Sequence, residues 1–238
     1  MAGHNKWSKI KHKKAKTDRQ KGKLFSKMGR DIAVAVRLGG GDDEALNMRL
    51  RLAVQLAKAA NMPNDTIQRA IQRGLGPDAA DQQERLFEAY APSGVALLIE
   101  TLSDNNNRTV ANIKAILNKH GGSLATKGAV AYQFNRVGHI IVATADTDAV
   151  LTVFLASSDL LIHDVTSVES TQHVWCPPEQ LMAVHAALEA ATLPVEYAAL
   201  TYEPTHWVSV SDSAPVMTLI DRLDADDDVQ QVYSNYRE

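Results

Sequence analysis

The hydrophobic period of this 238-residue chain changes at Gly74-Leu75-Gly76-Pro77, and this change limits the possible folds more than any other feature. Before it, apolar residues recur at the three- and four-residue spacing of helices. After it, short apolar runs separated by turn residues predict strands and further helices. The charge changes at the same place: residues 1–76 carry 17 basic and 6 acidic side chains, and the remainder carries 8 and 22. The sequence therefore predicts a basic helical domain followed by acidic α+β structure.

Three helices are predicted in the helical domain, residues 23–77. The first has an apolar stripe and ends at Gly39-Gly40-Gly41. The second is capped by Asp42 or Asp43 and ends near Ala60, and the third begins at Pro63. The residues predicted to face inward on the first two helices are Leu24, Phe25, Met28, Ile32 and Val36, then Leu46, Leu50, Val54 and Ala57.

The rest of the chain predicts two α+β domains. Residues 138–204 have the order β-α-β-β-α-β, which is typical of a ferredoxin-like unit. This assignment places strands at 129–134 and 140–143 around a turn at Val137-Gly138, and another strand at 206–210.

The predicted fold class is multidomain α and α+β, with a three-helix domain followed by two ferredoxin-like α+β domains, one inserted in the other. The domain limits are a basic arm at 1–22, the helical domain at 23–77, an α+β domain at 78–137 plus 205–238, and an inserted α+β domain at 138–204. Two sequential domains divided near residue 138 are the alternative, which periodicity alone leaves open.

The first forty residues carry nine lysines and three arginines against two aspartates, a net charge of +10, whereas the whole chain is −3. Such a concentration of positive charge predicts a polyanion-binding segment. Lysine makes point contacts with phosphates and arginine forks onto base edges, so a lysine-rich arm is expected to bind the backbone of a nucleic acid. Trp7 either stacks on a base or packs on the helical domain. The predicted nucleic-acid-binding residues are Lys6, Trp7, Lys9, Lys11, His12, Lys13, Lys14, Lys16, Arg19, Lys21, Lys23, Lys27 and Arg30.

No catalytic, metal or cofactor motif is evident, so we expect no enzyme activity, no cofactor and no small-molecule substrate. The eight histidines include no pair three to five residues apart, and Cys176 is the single cysteine. The run Asp224 to Asp228 lacks the spacing of a calcium loop and is predicted to be a solvated acidic turn. No run of eighteen apolar residues occurs, so we expect a cytoplasmic protein with no membrane partner.

Several ordered motifs make the chain resemble the YebC/PmpR family over essentially its full length. The opening MAGHNKWSKIKHKKAKTDRQKGKLFSK is similar to the family's MAGHSKW-x-x-IKHxK…KGKxFxK. Further matches are Leu38-Gly39-Gly40-Gly41-Asp42, Ala60-Asn61-Met62-Pro63, Asp65-Thr66-Ile67, Arg69-Ala70-Ile71, Asp104-Asn105 with Asn107-Arg108-Thr109, Lys119-His120-Gly121-Gly122, and Leu223 to Tyr233.

The resemblance implies three domains, one inserted in another, and no enzyme activity. It implies a DNA-binding transcriptional regulator of the bacterial cytoplasm. The alternative that it also carries is a ribosome-associated translation factor, which binds ribosomal RNA or tRNA and relieves stalling at proline-rich stretches. Ala91-Pro92-Ser93-Gly94 departs from the family's Gly-Pro-Gly-Gly turn, and 166–175 lacks the acidic character common there. Lys119-His120-Gly121-Gly122 is either a functional motif or a helix cap.

Overall fold

A computed structural model describes residues 18–76 and 82–237, with side chains from residue 22 onward. The helices are α1 (Asp18–Leu38), α2 (Met48–Ala59), α3 (Asn64–Leu75), α4 (Asn106–Lys119), α5 (Thr147–Leu155), α6 (Leu181–Ala190) and α7 (Ala214–Asp224). The strands are β1 (Gln83–Tyr90), β2 (Ala96–Ser103), β3 (Ser123–Leu124), β4 (Phe134–Val142), β5 (Asp164–Val168), β6 (Thr171–Cys176), β7 (Val195–Pro204) and β8 (Val229–Ser234). Within these residues, no helix is both long and apolar enough to cross a membrane.

Helices α1, α2 and α3 pack around one apolar core, which confirms the three-helix prediction. Helix α1 extends through 18–22, the last residues of the predicted basic arm. Its predicted stripe is buried from Met28 onward, with Leu24 and Phe25 partly buried at the edge of the core. Helix α3 approaches α1 closely at Gly74, where a β-carbon would lie 2.6 Å from the backbone oxygen of Ala33. Glycine therefore sets this helix spacing.

The predicted start of α2 is wrong. Asn47 is its cap, because its side-chain oxygen accepts from the backbone N–H of Leu50 at 3.0 Å. The Asn47 amide nitrogen also donates to the backbone oxygens of Ala35 and Gly41, so this one buried side chain joins the end of α1 to α2. Leu46, predicted to face inward, is 85% exposed because it precedes the helix in a turn.

The first sheet has the antiparallel order β3-β1-β2-β8. One face packs on α4 and α7 through residues such as Leu97, Ile99, Ile113, Leu219 and Val232. The opposite face of this sheet contributes Ala96, Leu98 and Tyr233 to a smaller cluster with Phe134 at the start of β4. That cluster joins the two sheets.

The second sheet has the order β5-β6-β4-β7, the ferredoxin-like arrangement predicted from the element order. Ile140, Val174 and Ala198 pack against α5 and α6 on one face. In sequence, its strands lie between β3 and β8 of the first sheet. The α and α+β multidomain fold class is confirmed, and the residue limits of the individual domains stay a prediction.

Two strand predictions are wrong. The predicted turn at Val137-Gly138 lies inside β4, where glycine is needed because a β-carbon at Gly138 would lie 2.6 Å from the Cys176 sulfur. Residues 131–133 form a short 3₁₀ helix before this strand. The predicted strand at 206–210 is reduced to an isolated parallel bridge between Val208 and Tyr236.

Candidate nucleic-acid interface

Most of the predicted nucleic-acid contacts lie outside the described residues. These are Lys6, Trp7, Lys9, Lys11, His12, Lys13, Lys14 and Lys16. Arg19 and Lys21 lie on α1, but their side chains are outside the described part. The side chains of Lys23, Lys27 and Arg30 are described, and all three engage other parts of the chain.

Lys23, Lys27 and Arg30 occupy one face of α1, at the i, i+4, i+7 spacing of a helix, and we call them the docking stripe. The Lys23 ammonium donates to the backbone oxygen of Ala225 at 2.9 Å and lies 3.9 Å from the Asp227 carboxylate. The Lys27 ammonium donates to the backbone oxygen of Asp224, and the residue is only 8% exposed. Both acceptors lie at the C-terminal end of α7, where the helix dipole favours a cation.

Arg30 completes the docking stripe. Its guanidinium donates to the backbone oxygen of Asp227 and lies 4.0 Å from the Asp228 carboxylate. Residues 224–228, which we call the acidic turn, thus bind the helical domain. The prediction of a merely solvated acidic turn is wrong, because Asp228 is 5% exposed and its neighbours accept hydrogen bonds from α1.

Asp228 also has partners within its own domain. The Arg108 guanidinium donates two hydrogen bonds to its carboxylate, at 2.9 and 3.2 Å, and the Thr109 hydroxyl donates a third at 2.9 Å. Burial raises the pKa of Asp228, but the donors Arg108 and Thr109 outweigh it, so the pKa lies below its ordinary value. The ionised Asp228 carboxylate therefore links the first sheet to the docking stripe.

The motif at 104–109 and the motif at 119–122 both have structural roles. Asn105 caps α4 by accepting from the backbone N–H of Arg108 at 3.1 Å, which also positions Arg108 beside Asp228. At the other end of α4, Gly121 has a positive φ of 74° and the N–H of Gly122 donates to Leu117 at 2.8 Å. This is the geometry of a glycine helix cap.

The sequence does not reveal one buried pair of histidines. His139 on β4 and His173 on β6 meet across neighbouring strands, with Nε2 of the first 3.0 Å from Nδ1 of the second. Burial, assisted by His173, lowers the pKa of His139 to about 3, so its ring is neutral at physiological pH. Only the strand register could have indicated this pair.

Burial and Glu179 raise the pKa of Cys176 to about 11, which keeps its thiol protonated.

A cavity of about 550 Å³ lies where the helical domain meets both sheets. Its charged lining is mixed, with the cations Arg49, Arg85 and Arg136 and the anions Asp31, Glu84 and Glu100. Equal numbers of cations and anions give this cavity no preference for phosphate. Within residues 18–76 and 82–237, no group of three or more histidine, cysteine or acidic residues is placed to hold a metal.

Other cations remain at the surface of the helical domain. Lys58 on α2 and Arg69 and Arg73 on α3 are exposed. The Arg69 guanidinium donates to the backbone oxygen of Asp65 and the hydroxyl of Thr66 on its own helix. These side chains continue the basic character of the helical domain beyond the docking stripe.

Two family models together match nearly the whole chain. Residues 5–77 match the TACO1/YebC protein N-terminal domain, and residues 82–236 match the TACO1/YebC second and third domain. The chain belongs to the TACO1/YebC family. This confirms the family resemblance and accounts for the break at the linker, because the two matches meet there.

Relatives of similar length support the same assignment. Proteins from Acidithiobacillus ferrooxidans and Rubrobacter xylanophilus are each 46% identical over 240 residues, which covers 99% of this chain and 94% and 95% of theirs. Both are named probable transcriptional regulatory proteins. The crystal structure of a conserved hypothetical protein from Aquifex aeolicus is 39% identical, with a TM-score of 0.84, and the alignment covers 98% of this chain and 97% of that one.

Proposed function

We propose that this chain is a non-enzymatic regulator of gene expression that acts in the cytoplasm and binds nucleic acid, DNA in the first instance, through its basic arm. One observation carries the proposal. Residues 1–17 contain six lysines and no acidic residue. They directly precede α1 in the sequence. The docking stripe on α1 has hydrogen-bond acceptors inside the chain, whereas the arm contains no acidic residue to balance its lysines.

The expected mode of binding is electrostatic. Each lysine that contacts a phosphate releases condensed counterions, so affinity falls steeply with salt. The acidic residues after position 76 outnumber the basic ones by 22 to 8, and nucleic acid repels them. We therefore expect the arm and the helical domain to face the polyanion, with the acidic surfaces of the two sheets turned away.

The names of the relatives support regulation as the biological role, since they are called probable transcriptional regulatory proteins. The arm also suits a regulator whose first contact with its target is independent of sequence. Lysine contacts with phosphate position a protein on nucleic acid without reading bases. Selectivity must then come from another surface.

Salt titration of binding tests the role of the arm. Duplex DNA is titrated with the full chain and with a variant in which all six arm lysines, at 6, 9, 11, 13, 14 and 16, are replaced by glutamine. A slope of log K against log salt of about −5 is expected for about six phosphate contacts, and the variant is expected to lose most of it. The matched control replaces the same six lysines by arginine, which keeps the charge and the slope. An unchanged slope in the glutamine variant would contradict the proposal.

Crosslinking in cells tests the kind of nucleic acid. A tagged copy of the full chain is crosslinked, the lysate is sedimented, and the bound nucleic acid is sequenced. Enrichment of promoter DNA without ribosomal RNA is the expected result. Ribosomal RNA without promoter DNA would overturn the transcriptional form of the proposal and favour a ribosome-associated translation factor.

A further inference from the structure

We propose that Tyr132, His206 and Trp207 form a stacking platform for the unpaired bases of a single-stranded nucleic acid. The inference rests on the proposed function, since it assigns a second contact surface for nucleic acid to the same chain. It also supplies what the basic arm lacks, which is a surface that distinguishes unpaired bases from a uniform phosphate backbone.

The exposure of two aromatic rings first marks the site. Tyr132 is 74% exposed and Trp207 is 43% exposed. Every other phenylalanine, tyrosine and tryptophan of residues 22–76 and 82–237 is buried or half-buried. Large exposed rings on two segments that are hydrogen-bonded to each other indicate a contact site, because burying them against a ligand is favourable.

The segment that carries Tyr132 is anchored by hydrogen bonds to a buried carboxylate. The buried Glu88 carboxylate accepts from the backbone N–H groups of Val130 at 2.7 Å and Ala131 at 2.9 Å, and also from that of Gly128. Burial raises the pKa of Glu88, but these N–H donors and Lys127 outweigh it and place the pKa below its ordinary value. The anchor is therefore ionised at neutral pH.

The segment that carries His206 and Trp207 is tied to the same place. The N–H and the hydroxyl of Thr205 both donate to the backbone oxygen of Gln133, at 2.8 and 3.1 Å. The Gln133 side-chain oxygen accepts from the Asn235 amide at 3.1 Å, and the N–H of Val208 donates to the backbone oxygen of Asn235 at 2.7 Å. Tyr132 and Trp207 thus flank one hydrogen-bonded junction.

His206 joins this surface because its Nδ1 lies 3.0 Å from the hydroxyl of Thr205. The imidazole is exposed and adds a third flat ring to the segment that carries Trp207. Rings on anchored segments lose little conformational freedom when a base stacks on them, which favours binding. A stacking contact is also tolerant of sequence, because every base has a π-face.

The charge around the rings suits a polyanion, unlike that of the surrounding α+β structure. Exposed cations on or beside the two segments are Lys127, Arg237 and Arg136, the last of which also lines the cavity described above, against two acidic residues, the half-buried Glu203 and the exposed Asp212. The backbone N–H of Arg237 donates to the Val208 oxygen at 2.9 Å, so its side chain starts next to Trp207. Guanidinium groups can contact phosphate or stack on a base.

The platform and the docking stripe lie at opposite ends of β8. The acidic turn directly precedes Val229, and Asn235 directly follows Ser234. Six strand residues span about 20 Å at roughly 3.3 Å each. A strand of about twelve nucleotides, roughly 40 Å at 3.4 Å per nucleotide, is therefore longer than the distance from the platform to the helical domain along β8.

The test compares a single-stranded oligothymidylate of twelve nucleotides with a twelve-base-pair duplex, each titrated with the full chain. The variant Tyr132→Ala with Trp207→Ala is expected to bind the single strand at least about tenfold more weakly. Its affinity for the duplex is expected to change less than about twofold, and its salt slope to stay the same, because phosphate contacts remain.

Two matched controls separate stacking from loss of apolar surface or of fold. Tyr132→Phe with Trp207→Phe keeps the rings and should keep single-strand affinity within about threefold. Leu155→Ala removes an 87%-exposed side chain from α5 and should change nothing. Far-ultraviolet circular dichroism of each variant checks that it folds.

The outcomes distinguish this inference from the proposed function. Unchanged single-strand affinity in the alanine variant, an equal loss for single strand and duplex, or binding of the unmodified chain to duplex alone would overturn the platform and leave the arm intact. Failure of the unmodified chain to bind either oligonucleotide would overturn both. A single variant, Trp207→Ala, that loses single-strand affinity while Leu155→Ala does not would support the platform even if the double variant failed to fold.

Discussion

Two basic segments follow each other in the first thirty residues, and they differ in what balances their charge. Residues 1–17 contain six lysines and no acidic residue. The docking stripe that follows has acceptors within the chain, at the end of α7 and in the acidic turn. The two segments have similar amino-acid composition. In the fold, however, the docking stripe connects the helical domain to α7 and the acidic turn. Positive charge therefore predicts a nucleic-acid contact only where the fold does not already use it.

The helical spacing of the docking stripe explains the difference. Residues four and three apart share a face of α1, and that face meets the C-terminal end of α7, which attracts cations. The mutual position of the helical domain and the first sheet thus depends on charge as well as on apolar packing.

The largest effect is expected at the buried carboxylate of the acidic turn. Asp228→Ala leaves Arg108 and Thr109 without their acceptor and should lower the free energy of unfolding by about 3 kcal/mol. The matched control is Asp227→Ala, which removes the same charge from a side chain that is 75% exposed and should cost less than about 0.5 kcal/mol. Urea denaturation of both variants measures the difference, and equal losses would contradict the central role of Asp228.

A smaller effect is expected at the buried lysine of the docking stripe. Lys27→Met keeps most of the side-chain volume but leaves the Asp224 oxygen without this donor, and should destabilise the protein by about 2 kcal/mol. Lys58→Met, on the exposed face of α2, is the control and should be nearly neutral. If both variants unfold at the same urea concentration as the unmodified chain, the docking contact contributes nothing to stability.

Acid should weaken the same junction. The pKa of Asp228 is lower in the folded chain than in the unfolded one, so its stabilising contribution is complete above the unfolded value of about 4 and is lost as the pH falls through the folded value. The difference in unfolding free energy between the unmodified chain and Asp228→Asn is expected to be constant from pH 7 to about 5 and to shrink below about 4. A difference that grows on acidification would have the wrong sign.

The smallest effect is expected at Lys23, the exposed end of the docking stripe. Its side chain is 45% exposed and its ammonium lies 3.9 Å from an exposed carboxylate, so water and salt screen the contact. Lys23→Gln should cost about 0.5 kcal/mol or less and less still in 1 M salt. Thermal unfolding at low and high salt measures this effect. A loss of stability as large as that of Lys27→Met would show that the exposure of a side chain does not determine how much its contact contributes.

The local parts of the fold were predictable from the sequence. Three- and four-residue spacing located α1 with its buried Met28 and Ile32, and the element order located the ferredoxin-like sheet. The predicted turn at Gly138 is wrong because the packing of this residue against the distant Cys176 is invisible in the sequence. The inward position predicted for Leu46 is wrong for a local reason, because Asn47 rather than Asp42 or Asp43 is the cap of α2.

The candidate site also has a part that was predictable from local sequence and a part that was not. Lysine content predicted the basic arm, but nothing in local spacing pairs Arg30 with Asp228, which is 198 positions away, or His139 with His173. Both pairs depend on how separate elements pack. The exposed Trp207 also required the fold, because an aromatic residue near apolar neighbours is more often buried.

One measurement tests most directly whether the two basic segments have different roles: the salt dependence of duplex DNA binding by two matched variants. One replaces the six arm lysines by glutamine, and the other replaces Lys23, Lys27 and Arg30 by glutamine. For the arm variant, the slope of log K against log salt is expected to change from about −5 to near zero, and the stability is expected to stay the same. The stripe variant is expected to lose less than about 1 from the slope and to unfold at lower urea concentration. A stripe variant that loses the slope, or an arm variant that keeps it, would contradict the account.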